Sequence, residues 1–316
     1  MNEKAKKITD TVNRIVLGKE REVTEVFLAI LANGHILIED IPGVGKTTLA
    51  LAFAGAMSLD FKRIQFTPDV MPSDLTGFSV YRQKTGDFEF REGAVFCNLC
   101  LADEINRTSP KTQSAMLEVM EERRVTVEGV TRDVPRPFIV IATENETGSA
   151  GTLSLPESQT DRFMISLSLG YPDFKSELQL ASEVGETSRT ENIRPVISRD
   201  ELLSMQSEIH SVYIKDTVYE YILNLVRETR GNPLIVRGAS PRATIALVRM
   251  SKAAAWYRGR DFVTPADVAE QFPYVVSHRI TSGTLAKTDG MSRADIIGKI
   301  LSSVKSPPAE SREKTK

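Results

Sequence analysis

Histidine, cysteine and tryptophan are scarce in this chain of 316 residues, with three, two and one respectively. His35, His210 and His278 form no cluster and match no metal-ligand spacing, which argues against a histidine-built metal centre. Trp256 is expected in a core. The cysteines fall together as Cys97-Asn98-Leu99-Cys100. A C-x-x-C pair is redox-active when it opens a helix, whose dipole lowers a thiol pKa. Here it sits in the apolar run Ala94–Ala102, read as a buried strand. An odd offset on a strand sends the two sulfurs to opposite faces, so inert core cysteines are expected. Long apolar runs are missing too: the longest, Val26–Ala32, is far too short to span a bilayer. The segment Met1–Lys19 is polar and lacks the apolar stretch of a signal peptide. No membrane insertion and a cytoplasmic location are therefore expected. Excess charge is likewise absent: 40 basic against 42 acidic residues leave −2, which argues against a dedicated nucleic-acid coat.

What is present is an ordinary globular composition, 41% hydrophobic and 26% charged, able to bury a real core. In the first half, short apolar strands alternate with helical stretches, the pattern of a parallel sheet covered by helices. Five strands are predicted, at His35–Glu39, Lys62–Phe66, Phe96–Ala102, Phe138–Ala142 and Phe163–Leu167. Helices are predicted over Val23–Asn33, Thr47–Met57 and Thr112–Arg123. Between Arg124 and Pro137, Val125 and Val127 alternate with polar residues, Glu128-Gly129 can turn and Val130–Val134 can return, which reads as a hairpin. After Tyr171-Pro172 the strand pattern stops, and the polar stretch Gly185–Pro195 reads as a linker. Helices follow with clear starts: Ser198 with Glu201 as a capping box, and Ser240-Pro241 and Thr264-Pro265 as caps followed by proline. The helical body ends near Val304, and Ser306–Lys316 is expected to be disordered.

The strand His35–Glu39 runs into Asp40-Ile41-Pro42-Gly43-Val44-Gly45-Lys46-Thr47-Thr48, and a helix begins there. Strand, glycine-rich turn and helix together are the context of a phosphate loop. Gly43 and Gly45 let backbone N–H groups turn inward around phosphate oxygens, with the helix dipole adding favourable potential. Lys46 supplies a cation to the β- and γ-phosphates, and the Thr47 hydroxyl is a ligand for Mg²⁺. ATP and Mg²⁺ are thus the expected ligands. The usual pattern opens with glycine where Asp40 stands; a carboxylate there repels phosphate, so its side chain is expected to point away. Further on, an apolar strand delivers Asp103-Glu104 at its C-terminal end, the form of a Walker B element. Asp103 is expected to hold the Mg²⁺ shell, and Glu104 to orient and deprotonate the attacking water.

The stretches IEDIPGVGKTT, RIQFTPDVMPSDLTG, LADEINRTSPKTQSAMLEVMEERRVTV, LPESQTDRF and GASPRA resemble the MoxR family of AAA+ ATPases, in the family's order and over most of Val16–Ala243. The ATPase subunit of magnesium chelatase shares the architecture. The resemblance implies an α/β P-loop NTPase core of the AAA+ type with a five-stranded parallel sheet, followed by a small all-helical lid domain. The core is expected at 1–184, with an insert in the second helix at about 74–92 and a pre-sensor 1 hairpin at about 124–137. A linker at 185–197, the lid at 198–304 and a tail at 305–316 complete the division. The family tends to carry Glu-Asp before its Pro-Gly-Val-Gly-Lys loop, which makes Asp40 a family mark. By the same resemblance Asn145 is sensor 1, contacting the γ-phosphate or the water, although the family reads Thr-Gln-Asn-Pro where this chain has Thr143-Glu144-Asn145-Glu146. Arg162 matches the arginine finger that reaches a neighbouring subunit's γ-phosphate, and Arg242 the sensor 2 arginine. A cation in the first turn of a helix opposes the dipole, so Arg242 needs a partner such as a phosphate. Ile15-Val16-Leu17-Gly18 resembles the segment that packs on adenine.

The resemblance further implies a homo-oligomeric ring, hexameric, in which the hairpins face a central pore, and a chaperone-like remodelling of a protein client with a von Willebrand factor A-domain partner. Two other readings compete. A nucleic-acid motor calls for Lys or Arg at the hairpin tip to grip phosphates. Arg123, Arg124, Arg132 and Arg136 lie instead at the base and return arm, and the predicted tip is Glu128-Gly129-Val130, so nucleic acid is not the expected client. A nucleotide-gated switch with little turnover needs neither Glu104 nor Arg162.

Overall fold

The computed structural model describes residues 2–144, 155–183 and 193–308. The chain starts with α1 (Glu3–Asn13) and α2 (Glu20–Leu31), then β1 (Ile36–Glu39), α3 (Lys46–Ala56) and β2 (Phe61–Gln65). A short α4 (Pro72–Thr76) leads into a hairpin of β3 (Phe78–Arg82) and β4 (Asp87–Arg91). Next come β5 (Leu99–Asp103), a 3₁₀ turn (Ile105–Arg107) and α5 (Pro110–Glu122). A second hairpin, β6 (Arg124–Val127) and β7 (Val130–Asp133), precedes β8 (Ile139–Glu144). The four-residue α6 (Glu157–Thr160), β9 (Ile165–Leu167) and α7 (Phe174–Ser182) follow. The second body holds α8 (Arg199–His210), α9 (Asp216–Gly231), β10 (Ile235–Arg237), α10 (Pro241–Tyr257), α11 (Pro265–Val276), β11 (Thr281–Ser282), α12 (Thr284–Thr288) and α13 (Arg293–Ser303).

Five strands pair in the order β2-β5-β8-β1-β9, all parallel. The α/β AAA+ core with its five-stranded parallel sheet is therefore as expected. A parallel sheet is covered on both faces, so its strands read as continuous apolar runs; Ile36, Leu37, Ile38, Leu99, Leu101, Ile139 and Ile141 are all fully buried. One apolar cluster unites α1, α2 and α3 with the lid helices on one face. The other face packs against α5 and the bases of the two hairpins. Register aligns the C-terminal strand ends, with Gln65 opposite Asp103 and Ile38 opposite Thr143. They meet at one edge, where open α/β sheets bind ligands.

The caps are seen at Ser198, Ser240 and Thr264, each accepting a hydrogen bond from a first-turn amide. Both turn residues of the second hairpin, Glu128 and Gly129, have positive φ, the geometry a two-residue hairpin turn requires. The lid also carries the antiparallel pair β10–β11, too short to leave a pattern in sequence. The cysteine expectation needs correction. The strand begins at Leu99, and Asn98 just before it bonds the Asp60 amide and the Pro137 carbonyl through its side chain. Cys97 lies in the turn before it, so the two thiols face each other rather than opposite ways. Contact with Cys97 and burial push the Cys100 thiol well above its ordinary range, and both are free, buried core residues. Asn145 and Glu146, the middle of the linker, and the tail beyond residue 308 lie outside the described residues. Among those described, no helix is long and apolar enough to cross a membrane.

Candidate nucleotide site

The loop leaving β1 is shaped by its own sequence. Gly43 and Gly45 take φ of 86° and 93°, a region costly for residues with a Cβ. Gly45 is the N-cap of α3 and offers no side chain to its first-turn amides. Those amides are the group of donors that a phosphate satisfies. Lys46 is buried, and its Nζ donates to the Asp40 carbonyl at 2.8 Å. Burial pulls its pKa down, opposed by the charges of Asp40, Asp103 and Glu104, which places all three acids near the ammonium. Pro42 is exposed, and Val44, Thr47 and Thr48 are half-buried.

Asp40 is only 4% exposed. Its Oδ2 accepts from the amides of Leu169 and Gly170 at 2.5 and 2.8 Å and from the Ser168 hydroxyl, while Oδ1 accepts from the Ile41 amide. The carboxylate is thus turned into the chain after β9 and away from the glycines. The same chain reaches the N-terminal segment: Lys19 Nζ donates to the Tyr171 carbonyl at 2.8 Å, and a Cβ on Gly18 would meet the Ser176 hydroxyl. Val16, Leu17 and Gly18 therefore sit at the loop's edge of the sheet, with Val16 buried.

At the end of β5, Asp103 accepts from the Thr143 hydroxyl at 2.7 Å and from Arg63 at 2.6 Å. Glu104 lies in the left-handed region, φ 56° and ψ 47°, unusual for a residue with a side chain. Its amide donates to the Thr143 hydroxyl at 2.8 Å, and its Oε2 accepts from Gln65 and Arg107. Thr143 thus locks the two acids together from the neighbouring strand. Glu144 is buried and bonded to the Leu155 amide, and burial raises its pKa.

Arg162 and Arg242 lie elsewhere. Arg162 precedes β9, and β9 runs parallel to β1 toward Leu169 and Asp40, so Arg162 belongs to the opposite, N-terminal edge of the sheet. It donates to the Leu117 carbonyl and pairs with Glu121, which also pairs with Arg242. Glu121 lies in the last turn of α5, roughly 16 Å along the helix from Pro110 at ~1.5 Å per residue. A cavity of about 380 Å³ on this edge is lined by Arg123, Arg162, Arg242, Arg249 and Arg279 against the carboxylates Glu121 and Asp161.

Comparison with known proteins places the fold and the family. Residues 35–165 match the ATPase family associated with various cellular activities (AAA), and residues 227–300 match the AAA lid domain. The uncharacterized protein YeaC of Bacillus subtilis is 44% identical over 301 residues, which cover 95% of this chain and 94% of that one. The chaperone MoxR1 of Mycobacterium tuberculosis is 36% identical over 305 residues, 94% and 80% of the two chains. A solved structure from Cytophaga hutchinsonii, designated a candidate ATPase, superposes with a TM-score of 0.89 at 39% identity, covering 96% and 95%. The chain belongs to the MoxR family of AAA+ ATPases.

Within this MoxR chain, sequence reasoning passes over Arg63, Gln65, Thr143, Glu121 and Asp161. The first three touch the acid pair directly. Gln65 and Thr143 stand at or next to the ends of their strands, a weak sequence signal, and Arg63 in the middle of β2 carries none. Glu121 sits in a run of acids on a helix and looks like a solvated face.

Proposed function

We propose that this chain hydrolyses Mg·ATP in a ring whose active sites are completed by neighbouring subunits, and that the ring remodels protein complexes. The observation that carries the reading is the separation of Arg162 and Arg242 from the phosphate loop of their own chain, at the far edge of the sheet. A cation that spreads the developing γ-phosphate charge must lie against it. These two do so only across a subunit boundary, in a homo-oligomer with the hexamer as its natural closure.

In the site itself, the loop amides from Gly43 to Thr48 and Lys46 bind and orient the phosphates. Val16, Leu17 and Gly18 lie where the base packs. Thr47 and Asp103 would hold Mg²⁺, a fit consistent with an ion that takes few protein oxygens and keeps phosphate and water in its shell. When bound, it neutralises charge on the β- and γ-oxygens. Glu104 accepts the proton of the attacking water; Gln65 and Arg107 fix its carboxylate, and Thr143 fixes its backbone. Asn145 has the sensor 1 role.

The protein client is supported by the second hairpin and by the relative named a chaperone. Arg123 binds Asn33, Arg124 pairs with Glu122, and Arg132 stacks on Phe90 at 3.8 Å, so these hairpin arginines are engaged within the chain. The tip is Glu128-Gly129, which offers phosphates no cation. A von Willebrand factor A-domain partner belongs to the same proposal.

Mixing Lys46→Ala with Arg162→Ala protein tests the composite site. Each alone is inactive, while mixed rings contain some interfaces with an intact loop and an intact finger, and hydrolysis returns. No return in rings shown to be mixed overturns the reading. For the client, Glu104→Gln protein loaded with ATP should retain a von Willebrand factor A-domain protein in a pull-down; stimulation of ATPase by DNA would favour the motor instead.

A further inference from the structure

The segment that carries Arg162 has little of its own to hold it. α6 is a four-residue helix with no buried side chain, too short to be stable by itself. The core holds Phe163, which is fully buried, and bonds the Arg162 side chain at Leu117 and Glu121; the rest of the segment is fixed from the lid. Thr281 donates to Glu157 at 2.6 Å, and Arg237 pairs with the same carboxylate. Thr160 donates to the His278 carbonyl, and His278 Nε2 bonds the Phe163 carbonyl at 3.1 Å. Arg279 is the hub. Its side chain is 2% exposed, with Nε on Asp161 Oδ1 at 3.0 Å, Nη2 on the carbonyls of Asp161 and Phe163, and Nη1 on those of Met164 and Val275. The guanidinium thus binds the backbone on both sides of Arg162. Burial pulls Arg279 down to about 10, with Asp161 opposing, so it is charged near neutral pH.

Asp161 closes the arrangement. Besides Arg279 it accepts from the Ser240 hydroxyl at 2.8 and 3.0 Å, and Arg242 lies 3.9 Å from it. Ser240 is the N-cap of α10, whose first turn carries Arg242. One buried carboxylate therefore ties the residue before Arg162 to the helix start that carries Arg242. A buried ion pair is a poor source of stability, and in some proteins it fixes a unique geometry.

We propose that Arg279 and Asp161 are positioning residues, a buried clamp between lid and core that presents Arg162 and Arg242 to the neighbouring subunit's nucleotide as one rigid unit. This rests on the composite-site reading above. Its consequence is that the lid of one subunit governs hydrolysis next door while leaving its own nucleotide pocket intact.

The test uses full-length Arg279→Lys and Asp161→Asn proteins with three readouts: thermal unfolding, binding of a fluorescent ATP analogue, and ATPase rate in mixed rings. The folded variants are expected to bind the analogue as the parent does and to lose on the order of a hundredfold in kcat, the scale of a ~1 Å misplacement. Mixed with Lys46→Ala, which has an intact finger and clamp, each should recover hydrolysis; mixed with Arg162→Ala, neither should. Rates equal to the parent's, or recovery with Arg162→Ala, overturn the clamp. If both variants lose nucleotide binding, Ser240→Ala decides, since it removes only one donor to Asp161. It must then show a lowered kcat with the same one-sided rescue, and an unchanged kcat overturns the proposal. The Lys46→Ala and Arg162→Ala mixture serves as control. Its failure sinks the composite site itself, whereas its success with no rescue of the clamp variants sinks only the clamp.

Discussion

The two edges of the sheet are built differently. At the C-terminal edge the chemistry is mounted on strand ends: Asp103 and Glu104 finish β5, Thr143 locks them from β8, and the loop after β1 is braced through Asp40. At the N-terminal edge, Arg162 follows a helix of four residues; its side chain rests on α5 of the core, while the backbone on either side of it is bound by lid groups. The first edge needs only the sheet to be formed. The second needs sheet and lid docked in register, so nucleotide capture and stimulation of hydrolysis respond to different perturbations of one chain.

Variants at the two edges should therefore separate binding from turnover. The largest effect is expected for Arg162→Ala, with kcat down by about 10³–10⁵-fold, the worth of an arginine finger, and ATP affinity in the free chain unchanged. Steady-state ATPase assays and equilibrium titration check it. A loss of affinity in the monomer would place the arginine in its own pocket and erase the contrast. Glu104→Gln is next, with a drop of about 10²–10⁴-fold for removal of a general base and retention of ATP. Turnover at the parent's rate would remove Glu104 from the mechanism.

The same contrast decides which parts of the site are legible in the sequence. The C-terminal edge is written contiguously, with the loop as one stretch and Asp103-Glu104 as the end of one apolar run. Its periodicity and glycine placement carry the meaning directly. The N-terminal edge is assembled from residues that are distant in sequence, and Arg279, Asp161 and Glu121 look like ordinary surface charges until the fold joins them. The start of β5 departs from the hydrophobic pattern: the apolar run begins before the strand does, because buried apolar residues such as Val95 and Phe96 also line the turn that precedes it. Helix α1 does carry a helical signal, with Ala5, Ile8 and Val12 on one buried face, but it is easily passed over within the polar segment Met1–Lys19.

His35 sharpens the comparison through pH. It lies fully buried at the N-terminal edge, with Nδ1 accepting from the Val140 amide and Nε2 facing the Met120 carbonyl, one residue before Glu121. Burial, then the charge of Arg123, lowers its pKa from 6.5 to about 4. Between those values the unfolded chain holds a proton that the folded chain refuses, so the stability contribution is complete above 6.5 and lost as pH falls toward 4. The size is on the order of 3 kcal/mol at ~1.4 kcal/mol per unit. Glu25 runs the other way over much of the same window, its pKa raised to about 7 by burial, so the total profile conceals both. The difference between parent and His35→Gln in denaturant unfolding isolates the imidazole. That difference should shrink as pH falls from 6.5 to about 4, and a constant difference would show that His35 does not titrate in this way.

The smallest effect is expected at Asp40, and it tests whether the C-terminal edge really excludes this charge from the phosphates. Asp40→Asn keeps one acceptor oxygen but puts an amide among the donors of Leu169, Gly170 and Ile41. Losing charge-assisted bonds of this kind costs roughly 1–3 kcal/mol. If the carboxylate served only to brace the loop, unfolding shows that loss and ATP binds no tighter than in the parent. If instead its charge reached the phosphates, removing it would relieve repulsion and tighten binding. Isothermal titration with ATP distinguishes the two, and tighter binding by Asp40→Asn would mean that the bracing geometry does not persist when nucleotide is bound.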